Sequence, residues 1–160
     1  MKADTLENLA EMPRRLRTAA AELAGKERFR PSADPLAFSV VEHACHLRDL
    51  EEEGYTLRIR RILREDDPEL ADFDGAVVAA GRDYLTQDLA TALRDFESAR
   101  KSNIETLSAL PASALDRTGQ LAGKGTVTLH HLAQLMLEHD AGHSAELRDL
   151  LLAAGRGRSA

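Results

Sequence analysis

Six histidines occur in the chain, and the spacing of two of them suits metal chemistry. His139 and His143 stand four residues apart in a segment of helical periodicity, which stacks them one turn apart with Cβ atoms about 5–6 Å from each other. They interrupt an apolar stripe of Leu129, Leu132, Met136, Leu147 and Leu150, so both imidazoles face inward. Burying them is costly unless their ring nitrogens find partners, and one metal ion satisfies both rings. Core histidines hydrogen-bonded to neighbours satisfy the spacing equally well. A third ligand has to come from an earlier helix, where His43 and His46 are available. At about 100° per residue, His43 falls within the stripe of Val40, Leu47 and Leu50, and His46 lies at its edge beside Glu42 and Glu53. Periodicity slightly favours His43, whereas a site that admits substrate favours the edge. His130 and His131 lie about two turns before His139 and read as first-turn surface residues.

Three neutral imidazoles leave a coordination position open, as in catalytic rather than structural zinc sites. Such an ion makes a water or thiol nucleophile available near neutral pH. A nearby carboxylate could act as general base or orient a ligand. Glu146, three residues after His143, is the first candidate and Glu42, four before His46, the second. Asp140 points about 100° away from the ligand face and takes no metal role. Cys45 diverges from His46 by the same angle and reads as a small packing residue. The Glu-x-x-His pairs of di-iron bundles are absent, as are Gly-rich phosphate loops.

Four helices must position these groups. Residues 5–24 place Leu6, Leu9, Met12, Leu16, Ala20 and Leu23 on one stripe, with Pro13 as a kink or restart. After a connector containing Pro31 and Pro35, residues 39–65 carry Val40, Leu47, Leu50 and Leu57 at core spacing. Ser39 and Glu42 form a capping box at the start of that helix. An acidic linker over 66–81 leads to a third helix, 82–107, burying Leu85, Leu89, Ala92, Phe96, Ala99 and Leu107. A connection marked by Pro111, Gly119, Gly123 and Gly125 precedes a fourth helix, capped by Thr128 and ending near Ala153, with a frayed tail. No strand signal stands out. Amphipathic helices of this length bury their stripes around one core, so the expected fold is an all-α four-helix bundle.

With 160 residues, 43% hydrophobic and 30% charged, the composition suits one domain over 1–160. Its net charge of −6 disfavours nucleic acid and anionic membranes as partners. The cluster Arg58, Arg60, Arg61 and Arg64 follows Glu51, Glu52 and Glu53 and reads as a solvated face. A lone cysteine precludes an intrachain disulfide, and no apolar segment is long enough to span a bilayer or act as an export signal. The cytoplasm is the expected location. Two Tyr and four Phe offer no distinctive ligand platform by count.

Phe38-Ser39-Val40-Val41-Glu42 followed by His46-Leu47-Arg48-Asp49 resembles the aromatic-Ser-Val-x-Glu-x-x-x-His-Leu-x-Asp pattern of the DinB-like (damage-inducible) family, relatives of the bacillithiol and mycothiol S-transferases. Gly125, Thr128-Leu129 and His139-Asp140-x-x-His143 resemble that family's run into its last helix. Phe38 stands where tryptophan is usual, and His43 is an addition that leaves a ligand swap or a supporting role open. The resemblance implies His46, His139 and His143 as ligands of nickel or zinc, in a four-helix bundle with one long crossover that is often a homodimer. It further implies a small-molecule substrate and a metal-dependent transferase activating a low-molecular-weight thiol. Metal-dependent hydrolysis and a non-catalytic metal-binding stress-response module are the alternatives.

Overall fold

The structure is a computed structural model that describes residues 3–32 and 37–156, so Pro35 and the end of the expected tail lie outside the described residues. The first helical segment is two helices, α1 (Ala3–Leu9) and α2 (Glu11–Glu22), broken at Ala10. The restart precedes Pro13, which therefore sits in the first turn of α2, where its missing N–H leaves no gap within that helix. Leu9, four residues earlier, instead has its carbonyl engaged by the Arg100 guanidinium at 2.9 Å.

The second helical segment begins as expected. Ser39 accepts from the Glu42 amide at 3.4 Å, and the Glu42 carboxylate accepts from the Ser39 amide at 2.9 Å. It runs as α3 (Val40–Asp49), a π-helical stretch (Leu50–Tyr55) and α4 (Thr56–Arg64). In the π stretch the Thr56 amide bonds back to the Glu51 carbonyl, five residues away. The added residue rotates everything after it by about 100° relative to a regular helix. Leu57, expected in the core, is therefore 45% exposed, while Arg58, Ile59 and Ile62 turn inward.

The acidic linker contains β1 (Glu69–Leu70) and α5 (Gly75–Arg82), the latter capped by the Asp74 carboxylate. The third bundle helix, α6 (Leu89–Ser108), starts later than the stripe suggested, and its buried face carries Arg100 and Asn103 where Ala99 was expected to count. After α7 (Ala112–Leu115) come β2 (Thr118–Leu121) and β3 (Gly125–Thr128), then α8 (Leu129–Arg156). Thr128 caps α8, its hydroxyl accepting from the His131 amide at 3.0 Å. β2 and β3 form an antiparallel hairpin pairing Thr118 with Thr128. Its turn is eased by Gly123 at φ +75°, a left-handed conformation that favours glycine. β1 joins β2 in parallel, pairing Leu70 with Leu121. A parallel pair needs a crossover connection, supplied here through α6.

α1/α2, α3–α4, α6 and α8 make a four-helix bundle whose core comprises two apolar clusters. One gathers Leu16, Leu23, Val41, Leu47, Phe96, Leu147 and Leu150. The other gathers Leu50, Ile59, Ile62, Leu107, Leu121, Leu132 and Met136. Between them along α8 lie His139, Asp140 and His143, and between them along α6 lies Arg100. No described helix is long and apolar enough to cross a membrane.

Candidate metal centre

α3 and α8 bring His46, His139 and His143 together. His139 Nε2 lies 3.3 Å from His46 Nε2 and 3.1 Å from His143 Nε2, and the three rings form one cluster of possible ligands. At metal–nitrogen distances of about 2.0–2.1 Å, donors around a tetrahedral ion stand roughly 3.3 Å apart, so the spacing fits a divalent transition metal. Protons alone serve the cluster poorly, because one Nε2–H cannot satisfy two neighbouring lone pairs. Burial, reinforced by the neighbouring histidines, lowers His46 to about 4 and His139 to about 3. Both rings are therefore neutral at pH 7, the state a metal ligand needs.

His43, slightly favoured by periodicity, does not join this cluster. Its Nδ1 faces the opposite nitrogen of His143, Nδ1, at 3.1 Å, and the ring is 1% exposed. Glu146 reaches the same atom, its Oε2 lying 2.8 Å from His143 Nδ1 and 3.8 Å from His43 Nδ1. The His143 hydrogen bond holds the Glu146 carboxyl below its ordinary range. Glu42 is committed elsewhere, to the Ser39 cap and to an ion pair with Arg30. His130 bonds Gln134 at 3.3 Å and His131 is exposed, both clear of the cluster.

The surroundings were harder to foresee. Of the six Phe and Tyr residues, three gather at the histidines. Phe38 is 5.6 Å from His43 and 5.7 Å from His46 between ring centroids, Phe73 is 6.2 Å from His46, and Tyr55 is 6.5 Å from His139. Gly75, expected as a linker glycine, lies directly against the site: a Cβ there would stand 2.4 Å from His46 Cε1. The other end of α5 is tied down by Arg82, which bonds Asp49 and Glu53, both at 2.7 Å. Tyr84 adds a 2.7 Å bond to the same Asp49. These ties hold α5 over His46.

Asp140 turns from the histidines into a buried ion-pair group. Arg100 meets Asp140 at 2.6 and 3.1 Å and Glu51 at 2.9 Å, while Asn103 donates to Glu51 at 2.8 Å. Burial opposes the Arg100 charge, but Glu51 and Asp140 outweigh it and keep the guanidinium protonated.

A family model for the DinB superfamily matches residues 8–147. The chain belongs to the DinB superfamily. Among solved structures, this DinB chain is similar to YfiT from Bacillus subtilis, with a TM-score of 0.85 and 19% identity, over 97% of this chain and 90% of that one. YfiT is described as a probable metal-dependent hydrolase with an unusual four-helix bundle topology. No curated protein matches the chain.

Proposed function

We propose that this DinB protein is a metal-dependent hydrolase whose cation, zinc or nickel, is held by His46, His139 and His143. The convergence of three Nε2 atoms within 3.1–3.3 Å of their neighbours carries this reading, and imidazole suits both metals. The description of YfiT supports water as the nucleophile. Bound there, the cation supplies Lewis acidity toward an oxygen or sulfur nucleophile.

The chain's own residues supply the rest. His143 donates from Nδ1 to Glu146, which leaves its Nε2 lone pair directed at the other two rings. Glu146, with its side chain 58% exposed, stands where a carboxylate exchanges protons with solvent. Phe38, Phe73 and Tyr55 set aromatic rings against the histidines, the apolar lining usual for a small-molecule site. A thiol in place of water is the second reading, supported by the resemblance of the ligand pattern to the DinB-like family, of which the thiol S-transferases are relatives. A homodimer is part of the same proposal, checked by light scattering.

The test is elemental analysis of untagged protein beside the triple variant His46→Ala, His139→Ala, His143→Ala. Metal present in the wild type and lost from a folded variant is the expected result. Ester and amide panels, run beside trapping of a thiol with an electrophile, then separate hydrolysis from transfer. A folded wild type that takes up neither zinc nor nickel would overturn the proposal.

A further inference from the structure

His143 presents both ring nitrogens to possible ligand clusters. Nε2 belongs to the set just described. Nδ1 forms a second triangle with His43 Nδ1 at 3.1 Å and Glu146 Oε2 at 2.8 Å, closed by the 3.8 Å separation of His43 from Glu146. These edges bracket the roughly 3.3 Å spacing of donors on a tetrahedral zinc-sized ion.

Protons leave this triangle unsatisfied. A proton on His143 Nδ1 serves Glu146, after which His43 Nδ1 has two choices. If it keeps its own proton, that proton points at a nitrogen already protonated. If it does not, its lone pair competes for a proton already given away. Glu146 offers no remedy, since 3.8 Å exceeds hydrogen-bond reach. The other ring nitrogen of His43, Nε2, is buried without a partner. A cation in the triangle would accept three lone pairs at once.

We propose that His43, His143 and Glu146 form a second divalent-cation seat, joined to the first through the two nitrogens of His143. This rests on the proposed three-histidine site only for the claim that the ring bridges two ions; the second triangle stands on its own geometry. Binding the second ion transfers the His143 Nδ1 proton to solvent and leaves a bridging imidazolate. Its negative charge, with that of Glu146, offsets the added cation. The exposed carboxylate gives the ion a route from solvent, while His43 anchors it from inside.

Metal-stripped full-length protein, dialysed to equilibrium against Zn2+ and separately Co2+, tests the proposal. Wild type should retain two equivalents and release one additional proton on binding the second. Glu146→Gln, a substitution at an exposed position that leaves folding intact, should retain one, as should His43→Gln. The double variant His46→Ala, His139→Ala should also retain one, lost on adding Glu146→Gln. One equivalent in wild type, merely weakened by Glu146→Gln, would show that the carboxylate only orients His143 and would overturn the second seat. Two equivalents indifferent to His43 and Glu146, or no binding in any protein, would overturn it equally. An equivalent that survives loss of His46 and His139 but is the only one in wild type would retain the second seat and sink the first.

Discussion

At the scale of single residues, glycine and histidine set the site together. Gly75 has no functional group, yet the His46 ring occupies the space its side chain would need. A Cβ at 2.4 Å from ring carbon is shorter than any real contact, so Gly75→Ala must displace the ring or lift α5. His46 would then lose its alignment with His139, because coordination tolerates errors of only a few tenths of an ångström. The expected outcome is a loss of zinc affinity of 10-fold or more, with the melting temperature of the metal-free protein nearly unchanged, read by competition with a chromophoric chelator. Among the functional groups, the sequence exposed the pair in α8 because i, i+4 spacing on a helix implies adjacency without knowledge of the fold. His46 could not be separated from His43 that way, since both lie near one stripe and the choice depends on how α3 is rotated against α8. The edge position of His46 and the family pattern pointed to His46 against the phase argument, and the structure places that ring beside His139.

Among the elements, the capped helix starts were legible and the changes of helical phase were not. Ser39 with Glu42 and Thr128 with His131 are local chemistry, complete within four residues. The π-helical stretch has no such signature. It forms where Glu51 is drawn inward to Arg100 and Asn103, and where Gly54 lets Leu50 approach within 2.7 Å of the place a Cβ would fill. Extrapolating a regular period across it therefore put Leu57 in the core. Thermal or urea unfolding tests the shifted phase: Leu57→Ser should change stability by no more than about 0.5 kcal/mol, whereas Ile59→Ala should cost roughly 2–5 kcal/mol. The reverse order would mean the helix is regular. The small sheet escaped notice for another reason. Its strands of two and four residues are too short for alternation to show, and β1 finds its partner only after the intervening helix α6 has been placed.

Across the whole molecule, a polar layer separates two apolar clusters. One side of it carries the histidines and the other carries Arg100 with Asp140, Glu51 and Asn103. His139 and Asp140, adjacent in α8, connect the two sides. Charges so deeply buried cost desolvation that their mutual attraction only partly repays, so the layer is a poor source of net stability. Removing one member is different, because the survivors stay buried and unpaired. Arg100→Met should lower stability by about 3–5 kcal/mol in urea unfolding of the metal-free protein, and Asp140→Asn paired with Glu51→Gln in that background should restore part of it. A cost below 1 kcal/mol would show that water reaches the layer. A four-helix bundle was legible from amphipathic stripes, whereas this layer was not, because its members come from distant segments and each alone resembles an ordinary surface residue.

Pro13 acquires a meaning from this arrangement that its own helix does not give it. Lacking an N–H, it leaves the oxygen of Leu9 open to the guanidinium of Arg100, which donates to it. The proline ring thus frees a carbonyl that supplies part of the solvation that lets a cation live in the interior, where its partner Asp140 is the chain neighbour of His139. A residue with an N–H at position 13 would bring a second donor to that oxygen, and loss of Arg100 would leave the oxygen without its guanidinium partner.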